Sequence, residues 1–558
     1  MKNFLRTAAV SIPIRLGDAA HNAQAIASAL DALRKKGVQL ALFPELCLTG
    51  ATLGDLFYRP DVLTRAREAL ETVAVHTQGI AAVVGLPAEV NGRLCSCAAV
   101  LQNGSVRAIV PKPTPAREQR RWFSEGTQSQ LFSLGGCMFS IWQAHSAVQM
   151  MLLPDASPAH QPAEIISRLT AVVYANAGFG ESTGDHVYAG DTAVYEDGVC
   201  LAQGERYALT GGQAAADIDL QSIAYRRRMA GWVAEMADCI ALDDPLPIQP
   251  PLLRPISRLP FVTGDAEEIA MRQTMGLVSR LHAIGCKKLV VGVSGGLDST
   301  LALLIAVRAF DRLSLDRKGI FAITMPGGAT GARTYSNACR LMQLLGVTAL
   351  EIPIGAAVSQ HFADICHDPN AGDVTCENAQ ARERMQILMD YANKVGGIVL
   401  GTGDMSELAL GFCTYNGDHM SMYGVNASIP KTLVRKLTDH VSAQMGDVIH
   451  DVCADVIATP VSPELLPGQR TEDILGSYEL HDFFLYHFLR DGADRERLLL
   501  LASQVFPGED VASALDTFLR RFQTQQFKRS CLPDGAQAGP LSLSPRGAFL
   551  MPSDCVKL

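Results

Sequence analysis

The stretch KKLVVGVSGGLDSTLALLIAVRAF, residues 287–310, decides the fold of the second half of this chain. A short run of β-branched residues predicts a buried strand, and a long apolar run after it predicts a helix. Between them lies Ser294-Gly295-Gly296-Leu297-Asp298-Ser299-Thr300. A glycine pair lets backbone amides approach an anion, and the helix amino terminus adds partial positive charge. We therefore predict a polyphosphate-binding loop, in which Asp298 suits a magnesium ion that bridges the phosphates.

The composition excludes several functional classes. With 558 residues, 48% hydrophobic and 19% charged, the chain predicts two to four folded domains rather than disorder. A net charge of −9 and 6% aromatic residues argue against a nucleic-acid-binding protein. No signal peptide or transmembrane run is evident, so we expect a cytoplasmic protein without a membrane partner. The 14 cysteines are spread along the chain and predict reduced thiols rather than disulfides.

The pattern of the sequence predicts two α/β domains joined by a connector. Residues 1–242 alternate strands with helices, and Asn103-Gly104 predicts a hairpin turn, so this first sheet is partly antiparallel. Residues 243–261, DDPLPIQPPLLRPISRLPF, carry six prolines and predict an extended linker. In residues 262–558, four short apolar runs separated by helical segments predict a doubly wound parallel sheet.

The motif S-G-G-x-D-S at Ser294–Ser299 resembles the signature of the N-type ATP pyrophosphatases. Within that group, IVLGTGDMSELALGFCTYNGDHMSMYGVNASIPKTLVRKL (398–437) is similar to the NAD synthetases. The stretches VTCENAQARERMQ (374–386), FKRSCLP (527–533) and LSPRGAFLMPSD (543–554) match the same family in order. The amino half resembles the nitrilase-like glutaminase domain that is fused to many of these enzymes, which implies an α-β-β-α sandwich.

The resemblance implies an ATP-dependent amidation of deamido-NAD to NAD through an acyl adenylate, with release of AMP and pyrophosphate. It also implies a homo-oligomer. The residues that it places at ATP are Gly292, Ser294, Gly295, Gly296, Asp298, Ser299 and Thr402. Those that it places at deamido-NAD are Asn378, Glu407, Phe412, Cys413, Thr414, Tyr415 and Lys528. Magnesium would bind Asp298 and Glu407, and Lys431 would contact phosphate beside them.

The amidase motifs of the amino half are incomplete. LFPELCLTG (42–50) supplies Glu45 as the family's base, and AIVPKPTP (108–115) supplies Lys112 for the oxyanion. GGCMFSIWQ (135–143), however, places Trp142 where the family has its cysteine nucleophile. We therefore expect a domain without amidase activity and ammonia as the nitrogen donor.

Two alternatives remain open at this point. Glutamine could be the donor if Cys47 or Cys137 served as a displaced nucleophile. The amino domain could instead act as a scaffold for oligomerisation, which is compatible with ammonia as the donor.

Overall fold

The computed structural model describes residues 3–126, 130–158, 168–327, 331–459 and 476–556, and the chain separates into two units, Met1–Pro255 and Ile256–Leu558. Much of the proline-rich stretch before this division is bound to the first unit. Arg6 Nη2 donates to Pro251 O at 2.9 Å, and Leu253 N donates to Asp217 Oδ2 at 2.7 Å. Residues 243–255 therefore differ from the expected extended linker: their backbone groups hydrogen-bond with side chains of the first unit.

The first unit contains two sheets. The first has the strand order β12-β1-β2-β3-β4-β5 and the second β11-β10-β9-β8-β7-β6-β13. The strands are β1 Phe4–Ser11, β2 Leu40–Leu42, β3 Ala81–Val90, β4 Arg93–Gln102, β5 Ser105–Pro111, β6 Leu131–Leu134, β7 Cys137–Ile141, β8 Met150–Asp155, β9 Ala171–Asn176, β10 Thr192–Glu196, β11 Val199–Gln203, β12 Gly212–Asp219 and β13 Cys239–Ala241. The helices are α1 Ala19–Lys35, α2 Pro60–Val75 and α3 Leu220–Met229.

The alternating side chains of the strands build two cores. Leu40 and Leu42 face the second sheet, where they join a cluster that includes Phe139, while Ala41 between them faces the helices α1 and α2. This gives a layer of helices, a sheet and a second sheet, which are three of the four layers of the expected α-β-β-α sandwich. Between β8 and β9, residues 159–167 lie outside the described residues.

The predicted hairpin is confirmed. β4 and β5 pair antiparallel across Asn103-Gly104, whose φ angles of 51° and 79° are both positive. Two positive φ angles fit the twist of paired strands, and asparagine and glycine adopt them at low cost.

The second unit contains one parallel sheet in the order β16-β15-β14-β17-β18, which confirms the doubly wound prediction. Its strands are β14 Leu289–Gly292, β15 Ile320–Thr324, β16 Thr348–Glu351, β17 Ile398–Gly401 and β18 Tyr423–Gly424. Its helices are α4 Ala266–Ala283, α5 Leu297–Arg312, α6 Ala332–Leu345, α7 Gly355–Asp364, α8 Val374–Val395, α9 Met405–Leu410, α10 Lys431–Ala443, α11 Asp447–Ile457, α12 Tyr478–Asp491, α13 Arg495–Val505, α14 Val511–Thr524 and α15 Gln526–Arg529. No helix in the described part of the chain is long and apolar enough to cross a lipid bilayer.

The strand order places a crevice between β14 and β17. The chain moves from β14 toward β15 on one side and returns to β17 on the other, so the loops after these two strands diverge. Ser294 follows β14 and Thr402 follows β17. Ligands of open α/β sheets bind at such a point, beyond the carboxyl ends of the strands.

Candidate active site

The loop after β14 has a backbone that requires glycine. Gly295 has a φ of 88°, and a Cβ there would lie 2.0 Å from Thr334 O. Gly296 is the residue before α5, and its N–H donates to Ser294 Oγ at 3.1 Å. The loop therefore lies against the amino end of a 16-residue helix, as the sequence predicts.

A cavity of about 800 Å³ lies at this loop. Every residue predicted to hold ATP or deamido-NAD lines it: Gly292, Ser294, Gly295, Gly296, Asp298, Ser299, Asn378, Thr402, Glu407, Phe412, Cys413, Thr414, Tyr415 and Lys528. The fold thus brings together, in one cavity, residues that are up to 236 positions apart in the range 292–528.

Lys431 lies beneath the cavity among three carboxylates. Its Nζ is 2.6 Å from Asp298 Oδ2, 2.7 Å from Asp404 Oδ2 and 2.9 Å from Glu407 Oε1. Burial alone would lower the pKa of Lys431, but the three carboxylates raise that pKa well above its usual value. The ammonium is therefore protonated at neutral pH, and the cluster carries more potential negative than positive charge.

Asp404 belongs to this cluster, although the sequence analysis did not select it. Asp404 Oδ1 accepts from Glu407 N at 2.8 Å, and Glu407 Oε2 accepts from Asp404 N at 3.4 Å. This reciprocal pair is a capping box at the start of α9, and D-x-x-E is its sequence signature. Burial raises the pKa of Asp404 well above its usual value and raises the pKa of Glu407 to about 7.

The donor atoms of the cluster fit magnesium. Oxygen atoms of Asp298, Asp404 and Glu407 all lie within 4.8 Å of one another. Asp298 Oδ1 is buried and has no hydrogen-bond partner among the described residues. A set of carboxylate oxygens with excess negative charge is what a hard divalent cation prefers. Asp404 thus extends the pair of ligands, Asp298 and Glu407, that the sequence predicts.

Asn426 joins the two loops of the cavity. Its Nδ2 donates to Asp298 O and to Thr402 O, each at 3.0 Å. Gln273 Nε2 donates in turn to Asn426 Oδ1 at 3.0 Å. Asn426 is fully buried. The sequence alone carries no signal for this role, because a single asparagine gives no spacing pattern.

The carboxyl-terminal helix α15 holds the segment after α9. Lys528 Nζ donates to Gly411 O and Cys413 O, each at 2.7 Å, and burial lowers the pKa of Lys528. Arg529 Nη1 donates to Ala409 O at 2.8 Å. Lys528 was predicted to contact the dinucleotide; its side chain lines the cavity, but its ammonium is engaged with backbone carbonyls. It fixes the shape of the cavity wall.

Further cations line the cavity that sequence reasoning missed. They are Arg382, Arg384, Arg435 and Arg521, in addition to the predicted Lys528. Guanidinium groups suit phosphate oxygens because each presents several N–H donors in one plane. Two of these arginines belong to the recognised stretch 374–386. The sequence did not single them out, because a charged residue on a helix is most often exposed to solvent. Only the fold shows that they line the cavity.

In the first unit, Glu45 and Lys112 are brought together as predicted. Glu45 is fully buried and accepts from Ser96 Oγ at 2.6 Å, and its other oxygen lies 2.6 Å from Lys112 Nζ. Lys112 Nζ also lies 3.4 Å from Gln119 Oε1. This buried pair is the arrangement of base and cation that the amidase resemblance implies.

Trp142 lies directly after β7 in a strained backbone conformation. Its φ is 63°, in a region that bulky residues rarely adopt. Its Nε1 donates to Pro154 O at 2.8 Å, and its ring packs against the core between the two sheets. In α/β-hydrolases the nucleophile is exposed on a strained turn at the end of a strand. Here the turn carries an indole, which has no thiol or hydroxyl with which to form an acyl-enzyme.

The two cysteines considered as displaced nucleophiles are buried. Cys137 begins β7 and joins the core between the sheets, and Cys47 joins the core beneath α1 and α2. Burial raises the pKa of each thiol to about 12. Neither thiol forms a thiolate readily near neutral pH.

Two protein families match this chain. The NAD synthase model matches residues 269–531, and the Carbon-nitrogen hydrolase model matches residues 6–143, ending one residue after Trp142. The chain is 33% identical to the Glutamine-dependent NAD(+) synthetase of Mycobacterium tuberculosis over 654 residues, which cover 99% of this chain and 96% of that protein. It is 28% identical over 573 residues to the protein of the same name from Xylella fastidiosa, covering 95% of each.

A solved structure also resembles the chain over its length. It is a glutamine-dependent NAD(+) synthetase from Cytophaga hutchinsonii, with 17% sequence identity and a TM-score of 0.44, covering 99% of this chain and 97% of that one.

Proposed function

Because the chain belongs to the family of the glutamine-dependent NAD(+) synthetases, in which a carbon-nitrogen hydrolase unit precedes an NAD synthase unit, we propose that it amidates deamido-NAD to NAD with the use of ATP. An oxygen of the nicotinate carboxylate attacks the α-phosphorus of ATP, forming an acyl adenylate and releasing pyrophosphate. Ammonia then attacks the acyl carbon, and AMP leaves. The observation that carries this proposal is one cavity lined by the phosphate loop, by Asp298 and Glu407 of the carboxylate cluster, and by the aromatic segment.

The loop after β14 is the proposed site of the ATP phosphates. Backbone amides at Gly295 and Gly296 and the amino end of α5 stabilise an anion. The hydroxyls of Ser294 and Ser299 lie 3.3 Å apart beside them and add rotatable donors. Gly292 and Thr402 flank the same space at the ends of β14 and β17.

The cluster around Lys431 is the proposed centre for the adenylation step. Magnesium held by Asp298 and Glu407, with Asp404 beside them, would supply positive charge to the triphosphate oxygens. Lys431 is protonated and fixed by three ion pairs, so its charge needs no reorganisation when negative charge develops at the α-phosphate. No covalent nucleophile of the protein is needed.

The segment Phe412–Tyr415 is the proposed site of the pyridine end of deamido-NAD. Tyr415 is 44% exposed, and its ring lies 5.1 Å from that of His419 and 5.4 Å from that of Phe527. An exposed aromatic ring held by two others can stack on a planar heterocycle. Asn378 on α8 faces the same cavity and offers an amide to the dinucleotide.

For the nitrogen donor we propose free ammonia. An acyl-enzyme on the amidase unit needs a thiolate, and the strained turn after β7 presents Trp142 instead. Cys47 and Cys137 are buried in apolar cores. In the part of the chain that the structure describes, no thiol hydrogen-bonds with Glu45 or Lys112.

Glutamine is the second candidate donor, and the comparisons favour it over the ammonia expectation. The relatives are named glutamine-dependent, and Glu45 and Lys112 stand in the ion pair that such an amidase would use. Under this candidate, a thiol such as Cys47 would have to leave its core during catalysis.

The experiment that tests both points measures NAD formed from deamido-NAD, ATP and magnesium, with either ammonium or ammonia-free glutamine. We expect turnover with ammonium, and glutamine turnover no greater than trace ammonia explains. Absence of NAD with both donors would contradict the proposed reaction. Turnover with glutamine that K112A and C47S abolish, while ammonium turnover persists, would establish the second candidate.

A further inference from the structure

Three side chains of different types converge at the amino end of α8. His367 Nε2 lies 3.2 Å from Asp373 Oδ1 and 3.4 Å from Cys376 Sγ. One ligand atom from each of the three lies within 4.8 Å of the other two. Cys376 is buried, His367 is partly buried and Asp373 is exposed, so the cluster is reached from solvent on one side.

Without an ion, the three groups are linked to one another through Asp373. Its carboxylate lies beside His367 Nε2 and accepts a hydrogen bond from the Cys376 thiol. Asp373 Oδ1 already accepts from the N–H groups of Thr375 and Cys376 as the cap of α8. A nitrogen, an oxygen and a sulfur that lie this close together are a set of ligands that a divalent cation can bind once the thiol is deprotonated.

The separations also match a tetrahedral metal. With zinc-ligand distances of about 2.0 to 2.3 Å, neighbouring ligand atoms lie roughly 3.3 to 3.6 Å apart. The observed 3.2 Å and 3.4 Å are close to these edges. The donor set of one nitrogen, one sulfur and one oxygen favours zinc over magnesium, unlike the oxygen-only cluster around Lys431.

We propose that His367, Asp373 and Cys376 bind one zinc ion, with the fourth position left to water. Binding releases the proton of the Cys376 thiol to solvent, because the thiolate is the ligand. The next residues of α8, Glu377 and Asn378, line the cavity of the candidate active site. The ion thereby fixes the first turn of the helix that carries these two residues.

Cobalt(II) reports this site directly in the full-length chain, because a cobalt-thiolate bond gives an intense charge-transfer absorption in the near ultraviolet. We expect one equivalent of Co²⁺ to give this absorption in the presence of excess Mg²⁺, and one equivalent of Zn²⁺ to remove it. C376S should lose the absorption, and H367Q should weaken Co²⁺ binding at least about 10-fold, the loss typical of a disrupted ligand set. D373N should weaken it as well, and asparagine still caps the helix.

C366S is the matched control, because Cys366 is an exposed thiol next to His367 and outside the cluster. Its cobalt absorption and affinity should equal those of the wild type. Circular dichroism without metal verifies that each variant is folded. If C376S does not fold, H367Q still tests the site, because His367 is partly exposed and its replacement disturbs the core less. A wild type without the charge-transfer absorption, or an absorption that persists in C376S or disappears in C366S, would overturn the proposal. None of these readouts depends on the proposed reaction.

Discussion

Lys431 Nζ lies 2.6 Å from Asp298 Oδ2, so the first residue of α10 is bound to the first turn of α5 beside the phosphate loop. The two residues are 133 positions apart in the chain. Their ion pair is part of a cluster in which Asp404 and Glu407 also contact the same ammonium. The proposed phosphate loop, the proposed magnesium ligands and the fixed cation of the candidate active site thus meet in one group of side chains.

Replacing Asp298 by asparagine should abolish most of the turnover while the protein remains folded. The change removes an ion pair and a proposed magnesium ligand at nearly constant volume, and the loss of one electrostatic group at a reacting centre typically costs about 100- to 1000-fold in kcat. The measurement is kcat for ammonium-dependent NAD formation. D311N is the control, since Asp311 forms an exposed ion pair with Arg317 near the other end of α5. Turnover like that of the wild type in D298N would remove Asp298 from the site.

Replacing Glu407 by glutamine should remove the negative charge of this side chain while the start of α9 keeps its structure. Glutamine preserves the capping box with Asp404 but cannot ionise. Burial raises the pKa of Glu407 from 4.5 to about 7 in the folded protein, so between these pH values the folded state holds a proton that the unfolded state releases. The wild type therefore loses stability as pH rises through this window, and the variant does not.

Thermal melting of both proteins at pH 5 and pH 8 tests this linkage. The melting temperature of E407Q should rise relative to that of the wild type between the two pH values, while its turnover at pH 8 is lost. An unchanged difference in melting temperature would show that Glu407 does not titrate in this window, and full activity would show that its charge is not needed.

Replacing Asn426 by alanine should raise the KM for ATP. The change leaves Asp298 O and Thr402 O without their shared donor, and an unsatisfied buried carbonyl costs about 1 to 3 kcal/mol. The phosphate loop is expected to move to relieve part of this cost. The KM for ATP then rises about 10-fold, while the KM for deamido-NAD changes less. N337A is the control, because neither Asn337 nor its partner Asp455 lines the cavity. Equal changes in both KM values would indicate general destabilisation rather than positioning.

Replacing Lys528 by methionine should raise the KM for deamido-NAD and leave the KM for ATP unchanged. The variant loses the two bonds to Gly411 O and Cys413 O that hold the segment carrying Phe412 and Tyr415. Each bond from a charged donor is worth about 1.5 to 3 kcal/mol, so a rise of at least about 10-fold is expected. K394M, on an exposed lysine of α8, is the control. An unchanged KM for deamido-NAD would remove the tail from the substrate site.

Local sequence was sufficient where one continuous stretch builds a feature. The strand, glycine pair and helix of residues 287–310 predict the phosphate loop because all the required backbone atoms come from that stretch. Asn103-Gly104 predicts its hairpin for the same reason. Glu45 and Lys112 were recognised through motifs at the ends of β2 and β5, two strands of one sheet.

The missed residues act through contacts that are distant in the chain. Asp404 joins the carboxylate cluster because α9 begins beside Lys431. Asn426 acts on the cavity because its side chain bonds to the backbone of two loops. Asp404 had a local signal, the capping box, but that signal indicates a helix start and not a metal site. Lys528 was placed at the cavity, but its bonds to backbone carbonyls depend on where α15 packs.

The most direct test of the account supplies both donors in one reaction. Deamido-NAD, ATP and magnesium are incubated with glutamine labelled with ¹⁵N in its amide and with unlabelled ammonium, and the mass of the NAD formed is measured over time. We expect NAD with an unlabelled carboxamide throughout, because the amidase unit offers Trp142 where a thiolate is needed. Labelled NAD formed from the start of the reaction would contradict ammonia as the direct donor, and the absence of NAD would contradict the proposed reaction itself.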